Sequence, residues 1–273
     1  MKELGEVTFT RIARQHAVVA VREDHGSYRT LRRRPPADDP TVEREGMFLE
    51  SPAANWDAVP VEEALEQYDM AQASNRTSWD VDDYFGEEPE HFYVHRGDLT
   101  IDGALALGNT PCDDEDTVYV IDGDLTVSGP ITFCNADVYT TLYVTGSVVA
   151  QDLVCLWDSL LFVGRSLTVR NLLATSLYDP AALVVKGPVS AHTWLEMGGR
   201  GCIYFAGKPT TDTCVRGHLD EYAEGANAAV HLGGEGKVAG VAEAVLPEFL
   251  YEDRFCKSLE ILKAVLEGRP VLR

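Results

Sequence analysis

Five segments between Tyr93 and Pro209 share one pattern: GDLTIDGALAL (97–107), GDLTVSGPITF (123–133), GSVVAQDLVCL (146–156), RSLTVRNLLAT (165–175) and GPVSAHTWLEM (187–197). Apolar residues stand at the third and fifth places of each row, and with few exceptions at the ninth and eleventh. Alternate residues of a strand point to one side, so the rows predict short strands separated by sharp turns. The predicted inward columns are Leu99, Leu125, Val148, Leu167 and Val189; Ile101, Val127, Ala150, Val169 and Ala191; Leu105, Ile131, Val154, Leu173 and Leu195; and Leu107, Phe133, Leu156, Thr175 and Met197.

A further apolar pair precedes each row, from Tyr93 and His95 to Leu183 and Val185, and a sixth row begins at Ile203. Successive rows start 26, 23, 19 and 22 residues apart. Self-similarity at roughly 20 residues is typical of a solenoid in which each repeat forms one rung. We therefore predict a mainly β protein with a right-handed parallel β-helix of about 5–6 rungs. A meander of antiparallel hairpins is the rival arrangement, and the agreement between columns disfavours it.

The β-helix is predicted to cover residues 91–209, with different structure on either side. Residues 1–90 are predicted to form an α/β cap that includes a helix from Val61 to Ala73, because a solenoid end exposes unpaired strand edges. Residues 210–273 are predicted to be irregular up to a helix from Phe255 to Glu267, which Gly268 ends. We expect this helix to pack on the coil. One further column is either the bed for that helix or a partner surface: Tyr143, Phe162 and Val184.

The charge balance of the chain is strongly acidic. It carries 23 lysines and arginines against 44 carboxylates, for a formal net charge of −21. Such a surface repels phosphate backbones and anionic lipid, which argues against partners that are nucleic acids or membranes. A basic protein is the partner that this charge favours.

Two acidic stretches and two aromatic residues are the candidates for contact with such a partner. One stretch directly precedes the first row, and the other is a run of four acids in a loop that lacks the spacing of a calcium site. Trp157 and Trp194 stand outside the predicted inward columns, and exposed aromatics are common in protein interfaces. The candidate partner-binding residues are Asp80, Asp82, Asp83, Tyr84, Glu87, Glu88, Asp113, Asp114, Glu115, Asp116, Trp157 and Trp194.

The sequence carries no recognised catalytic motif: there is no phosphate loop, dinucleotide fingerprint, nucleophile elbow or zinc-protease helix. The six cysteines contain no Cys-x-x-Cys pair, and His91 and His95 lack a third ligand at clear spacing, so no metal and no cofactor are predicted. Asp102, Asp122 and Asp124 suggest a carboxylate row, although aspartate after glycine is also turn chemistry. No apolar leader or long apolar run is present, so we expect a cytoplasmic protein.

Two phrases, VIDGDLTV (120–127) and LFVGRSLTV (161–169), resemble the rungs of bactofilin-like, polymer-forming cytoskeletal proteins. They resemble still more a set of bacterial β-solenoid proteins of unassigned role, whose members also end in a helix followed by Gly-Arg-Pro-Val-Leu, as in residues 268–272. The resemblance covers about residues 92–207, and 246–272 less closely. It implies a fold and transfers no catalytic residue. Bactofilin coils have short tails, whereas a long segment precedes this coil and opposes end-to-end stacking.

Three hypotheses for function follow from these observations. The first is a non-enzymatic acidic module that binds a basic protein, as a bacterial immunity-type protein does when it neutralises a basic toxin domain. The second is a scaffold that binds itself through the coil ends, as the resemblance to bactofilins implies. The third is a carbohydrate-active β-helix enzyme that uses Asp122 and Asp124. We prefer the first hypothesis, because the negative charge of the chain is conspicuous whereas a set of catalytic residues is not.

Overall fold

A computed structural model describes residues 18–22, 28–32, 46–48, 56–76, 89–107, 117–135, 140–178, 181–199, 201–216, 237–252 and 255–273. These residues form a mainly β structure, a solenoid of about 5 turns with a C-terminal helix. Before the coil come β1 (Val18–Arg22), β2 (Tyr28–Arg32), β3 (Gly46–Phe48), β4 (Asp57–Pro60), α1 (Val61–Gln67) and α2 (Met70–Ser74).

The turns of the coil add strands to three faces, which we name A, B and C. In chain order the strands are β5 (His91–Arg96), β6 (Leu99–Ile101), β7 (Ala104–Leu107), β8 (Thr117–Asp122), β9 (Leu125–Val127), β10 (Pro130–Asn135), β11 (Thr140–Val144), β12 (Val148–Ala150), β13 (Asp152–Trp157), β14 (Leu160–Val163), β15 (Leu167–Leu177), β16 (Ala182–Val185), β17 (Val189–Gly199), β18 (Cys202–Phe205) and β19 (Thr210–Arg216). Face A contains β5, β8, β11, β14, β16 and β18. Face B contains β6, β9, β12 and the first parts of β15 and β17. Face C contains β7, β10, β13, the last parts of β15 and β17, and β19.

Neighbouring turns pair in parallel, which confirms the predicted parallel β-helix. On face A, Leu142 lies between Tyr119 and Leu161, as the sequence columns predict. On face B, the predicted column is one continuous ladder: Leu99, Leu125, Val148, Leu167 and Val189. Full burial of one such side chain contributes about 1.5–3 kcal/mol to the stability of the fold. Among the described strands, the antiparallel pairs are β1–β2, β4–β5 and one C-terminal hairpin, so the rival meander is wrong.

Two rows depart from the predicted columns by one residue. In the third row Leu153 pairs with Ile131, and in the fifth row Trp194 pairs with Leu173. The turn between faces B and C is one residue shorter in these rows than in the other three. A shift of one residue sends the side chains of a strand to the opposite face. The residues predicted to point inward at these places therefore lie in a cluster outside the coil: Val154, Leu156, Leu195 and Met197.

The outer side of face A is covered by the two N-terminal helices. Ala64 of α1 and Met70 of α2 are buried in one apolar cluster with Phe162 and Val184 of face A. The column of Tyr143, Phe162 and Val184 is therefore neither the bed of the C-terminal helix nor a partner surface, and both predictions are wrong. Strand β4 pairs with β5 and leads directly into α1, which places the N-terminal helices on this face.

The helix predicted from Val61 to Ala73 is divided into α1 and α2. The break lies at Tyr68 and Asp69, and the Asp69 side chain accepts a hydrogen bond from the backbone N of Gln72 at 2.8 Å. This bond satisfies an N–H group at the start of α2, the usual role of an aspartate at a helix N-cap.

The C-terminal segment covers the outer side of face C. It contains β20 (Lys237–Gly240), α3 (Val241–Ala244), a single 3-10 turn (Pro247–Phe249), β21 (Leu250–Tyr251), β22 (Phe255–Cys256) and α4 (Ser258–Leu266). Ile261 and Leu262 of α4 are buried in a cluster with Val154 and Leu195, which confirms that this helix packs on the coil. It begins later than predicted because β22 pairs with β21. Gly268 follows it with a φ of 65°, the left-handed conformation of a helix end.

Segments that precede the coil pair with the strands of its first turn. Strand β3 pairs with β7 and β4 pairs with β5, and the ring of Trp56 lies 5.6 Å from His95 and 5.7 Å from Tyr119. At the other end the coil continues past the predicted limit of 209, because β19 pairs with β17 and β20 pairs with β19. None of the helices in the described ranges has the length and apolar character needed to cross a membrane.

Candidate functional site

Most of the residues predicted to bind a partner lie outside the described ranges: Asp80, Asp82, Asp83, Tyr84, Glu87, Glu88, Asp113, Asp114, Glu115 and Asp116. The other two are tryptophans on face C. Trp194 is fully buried inside the coil, and its Nε1 donates to Oγ1 of Thr175 at 3.2 Å. Its assignment to an exposed partner surface is therefore wrong, and the reason is the short turn of the fifth row. Trp157 is half-buried and packs against the cluster under α4.

The aspartates proposed as a carboxylate row bond to other parts of the coil. Oδ1 of Asp124 accepts from the backbone N of Ser147 at 2.7 Å, and Oδ1 of Asp122 accepts from Oγ1 of Thr145 at 3.2 Å. Ser147 and Thr145 belong to the next turn, so these carboxylates join successive corners of the coil. Both bonds are therefore links between neighbouring turns and not turn bonds within one corner.

An exposed acidic surface lies on strand β4 and on the helical layer, α1 and α2, over face A. We call it the acidic helix face; its carboxylates are all exposed and belong to Asp57, Glu62, Glu63, Glu66 and Asp69. The opposite side of α1 supplies the buried contacts of Val61 and Ala64, so the chain folds here as an amphipathic helix. No residue of α1 is basic.

Arg96 and Lys186 are cations that border the acidic helix face. Arg96 pairs with Asp57, with Nε and Oδ2 3.1 Å apart, and this bond raises the pKa of Arg96. Lys186 donates from Nζ to Oδ1 of Asn75 at 2.9 Å. The pair of Arg96 and Asp57 is exposed, and exposed pairs contribute little to stability. The face therefore keeps a surplus of negative charge.

A cleft of about 540 Å³ lies where the corner between faces B and C meets the chain after α4. We call it the corner cleft. Its coil wall comes from successive turns and is mostly polar, with Leu172 as an apolar member, whereas α4 and the segment after it supply apolar residues and the guanidinium of Arg269. The residues that line it are Asp102, Ser128, Gly129, Pro130, Gln151, Asp152, Asn171, Leu172, Val265, Gly268, Arg269, Pro270, Val271 and Leu272.

Asp152 is the most constrained carboxylate of the corner cleft. Its Oδ1 accepts from Nδ2 of Asn171 at 2.8 Å and from the backbone N of Leu172 at 3.1 Å. Burial raises the pKa of Asp152 above its usual range, although both hydrogen bonds act in the opposite direction. A carboxylate that is costly to ionise gains from a positively charged ligand.

The sequence analysis missed Asp152, Asn171 and Arg269. A signal for the first two was present, because polar residues recur at the same corner in successive rows, as Asp102 and Ser128 do in the first two. Nothing in the sequence indicated Arg269, because the tail reaches this corner only through the folding of α4 onto face C.

Three of the five described thiols do not favour nucleophilic chemistry. Burial raises the pKa of Cys134 and that of Cys256 to about 12, and it raises that of Cys155 further. These thiols stay protonated at neutral pH, and the thiolate is the reactive form. Among the described residues, no three histidine, cysteine, aspartate or glutamate side chains come together as a metal site.

Comparison with known proteins does not assign the chain to a family. No family model matches it, no curated protein is significantly similar to it, and no solved structure matches it significantly.

Proposed function

We propose that the protein is a non-enzymatic module that binds a basic protein through the acidic helix face, as an immunity-type protein that neutralises a toxin domain would. The net charge of −21 supports a cationic partner. The observation that carries the proposal is the acidic helix face itself, because its carboxylates are exposed and α1 contains no basic residue to balance them.

The spacing of the acids within α1 adds to this argument. Glu62 and Glu66 are four residues apart, so their side chains are neighbours on one side of the helix, and like charges at this spacing destabilise a helix. A lysine- or arginine-rich surface would relieve that repulsion on binding. It would also be attracted from a distance, and this attraction weakens as ionic strength rises.

Self-assembly into a bactofilin-like scaffold is the alternative hypothesis, and one feature of the fold opposes it. Strand β3 pairs with β7, and β4 runs antiparallel to β5, so a second coil would meet β4 instead of a parallel edge on face A. Filaments in electron micrographs of the purified protein would support the scaffold, whereas a stable monomer or dimer in sedimentation would contradict it.

The test is binding of the purified protein to the basic proteins encoded by neighbouring genes, measured by calorimetry at several salt concentrations. We expect a one-to-one complex that weakens as salt increases. The triple variant Glu62→Lys/Glu63→Lys/Glu66→Lys should weaken it at least tenfold. Its matched control, Glu243→Lys/Glu248→Lys/Glu252→Lys, changes exposed acids of the C-terminal segment and alters the net charge equally.

Two results would overturn the proposal. Either none of these proteins forms a one-to-one complex, or both triple variants weaken binding equally. The second would show that overall charge, rather than the acidic helix face, determines binding. Because lysine is unfavourable in the first turn of a helix, the triple Glu→Gln variant is measured in parallel. It should weaken binding in the same direction while circular dichroism shows an unchanged fold.

A further inference from the structure

The corner cleft is a second candidate site, separate from the acidic helix face. Hydrogen bonds hold the C-terminal tail beside the coil: the backbone N of Leu246 donates to O of Val271, and that of Arg273 donates to O of Ala244, both at 2.9 Å. These bonds connect the tail to the segment around α3, which packs on face C. The cleft therefore has two walls that are each anchored to the coil, and its volume is typical of a small-molecule site.

The polar wall of the corner cleft offers acceptors for hydrogen bonds. Oδ1 of Asp152 takes both of the hydrogen bonds that this carboxylate makes with described residues, which leaves Oδ2 for a ligand. Nδ2 of Asn171 is used for Asp152, so the ligand would meet its carbonyl oxygen. The carboxylate of Asp102 lies on the same wall and accepts from Oγ of Ser128 at 3.0 Å.

No described cation neutralises these two carboxylates. Arg269 is the basic residue of the cleft, but its Nε pairs with Oε2 of Glu267 at 2.6 Å and its guanidinium lies 5.6 Å from the ring centre of Phe249. Neither Asp102 nor Asp152 forms an ion pair with a residue in the described ranges. The desolvation of Asp152 is thus not offset by a charge of the protein itself.

Apolar side chains line the cleft from both sides: Leu172 belongs to the coil and Val265 to α4. We propose that the corner cleft binds a cation on a short aliphatic stem, an alkylammonium or alkylguanidinium group. The charged end lies against Asp152 and Asp102, and the stem lies against Leu172 and Val265. This chemistry occurs in free amines and in the lysine or arginine side chains of proteins. The inference does not depend on the proposed function, because the site lies on another part of the coil.

Other ligand classes fit the corner cleft less well. An anion would be repelled by two carboxylates, and the one guanidinium present is already paired with Glu267. A neutral polyol could use the same acceptors, but it would leave the charge of Asp152 without compensation, which is costly for a buried group. A neutral ligand with the same aliphatic stem therefore serves as the control.

The experiment is calorimetric titration of the full chain with agmatine, which carries a guanidinium and an ammonium group on a four-carbon stem. The neutral control ligand is 1,4-butanediol, which has the same stem. Asp152→Asn is the test variant, because asparagine keeps an oxygen that can accept from Asn171 and Leu172. Asp98→Asn is the matched control variant: Oδ1 of Asp98 also accepts a backbone hydrogen bond, from Asp124 at 2.8 Å, at a different corner.

We expect agmatine to bind with one-to-one stoichiometry, 1,4-butanediol to give no measurable binding, and Asp152→Asn to weaken agmatine binding at least tenfold. Asp98→Asn should change the affinity less than twofold. The proposal is overturned if agmatine does not bind, if the diol binds equally well, or if the two variants behave alike. Titration with N-acetylarginine methylamide distinguishes a free amine from a protein side chain as the natural ligand. Tighter binding of agmatine indicates a free amine, and equal or tighter binding of the arginine derivative indicates a protein side chain.

Discussion

Replacement of Gly187 by alanine tests how closely the turns of the coil are stacked. Gly187 lies at the corner between faces A and B, and a Cβ added there would lie 2.5 Å from O and 2.9 Å from C of Arg165 in the preceding turn. Ordinary contacts of this kind begin at 3.4 Å, so the neighbouring turn would have to move by most of an ångström. Both contacted atoms belong to the backbone, and no flexible side chain can move aside instead.

The cost of this substitution follows from two opposing effects. Overpacking in a tightly packed region costs about 1–3 kcal/mol. Alanine restricts the unfolded chain more than glycine does, and this effect raises the free energy of unfolding by about 0.4–1 kcal/mol. We therefore expect Gly187→Ala to lower the free energy of unfolding by about 1.3 kcal/mol, the difference between the midpoints of these two effects.

Gly207→Ala is the matched control, because Gly207 stands at the same place of the sixth row and an added Cβ would meet no atom within 4 Å. We expect its stability to equal or slightly exceed that of the wild type. Urea unfolding followed by circular dichroism measures both variants, with equal m values as the condition for comparison. Wild-type stability of Gly187→Ala, or equal loss in both variants, would refute the close stacking.

Three further predictions concern the core, the C-terminal helix and the corner cleft. Trp194→Phe should lower the free energy of unfolding by about 1–3 kcal/mol, because it leaves the buried Oγ1 of Thr175 without its donor; unchanged stability in urea would contradict the buried position. Ile261→Ala should cost about 2–5 kcal/mol, because this side chain is fully buried under α4, and a wild-type melting temperature would show that the helix is not docked. The pKa of Asp152 is raised in the folded state, so the wild type should lose stability relative to Asp152→Asn as the pH rises through that raised pKa. Thermal unfolding between pH 3 and pH 7 measures the stability of the wild type minus that of Asp152→Asn. A wild type that gains stability relative to the variant with rising pH would contradict the burial of the charge.

The apolar columns on faces A and B could be predicted because the spacing within those strands is constant from row to row. Face C was harder to predict, because the short turns of the third and fifth rows shift it by one residue. The consequence is clearest at Trp194, which the row alignment places outside the coil and the structure places inside it. Apolar residues occur on both sides of face C, since α4 covers its outer side, and alternation alone could not reveal the shift.

The candidate sites were predictable to different degrees. The acidic character of the chain is a property of composition, and the sequence analysis recognised it, but it did not select Glu62 and Glu66 as a surface. That surface exists because Ala64 and Met70 bury the other side of the helical layer on face A. The corner cleft was not predictable, because Asp152 and Val265 are far apart in the chain and meet only after α4 docks.

The sequence by itself determined that apolar residues alternate within short rows that recur about every 20 residues, and this pattern was sufficient to predict a stack of parallel turns. It also determined the end of α4, because Gly268 and Pro270 act through local backbone conformation. Only the tertiary structure decided which helices cover which face, and therefore which acids face the solvent and where a cleft remains. Local pattern sets the period of a strand, whereas the contacts of distant segments depend on turn lengths and on the surfaces that those turns expose.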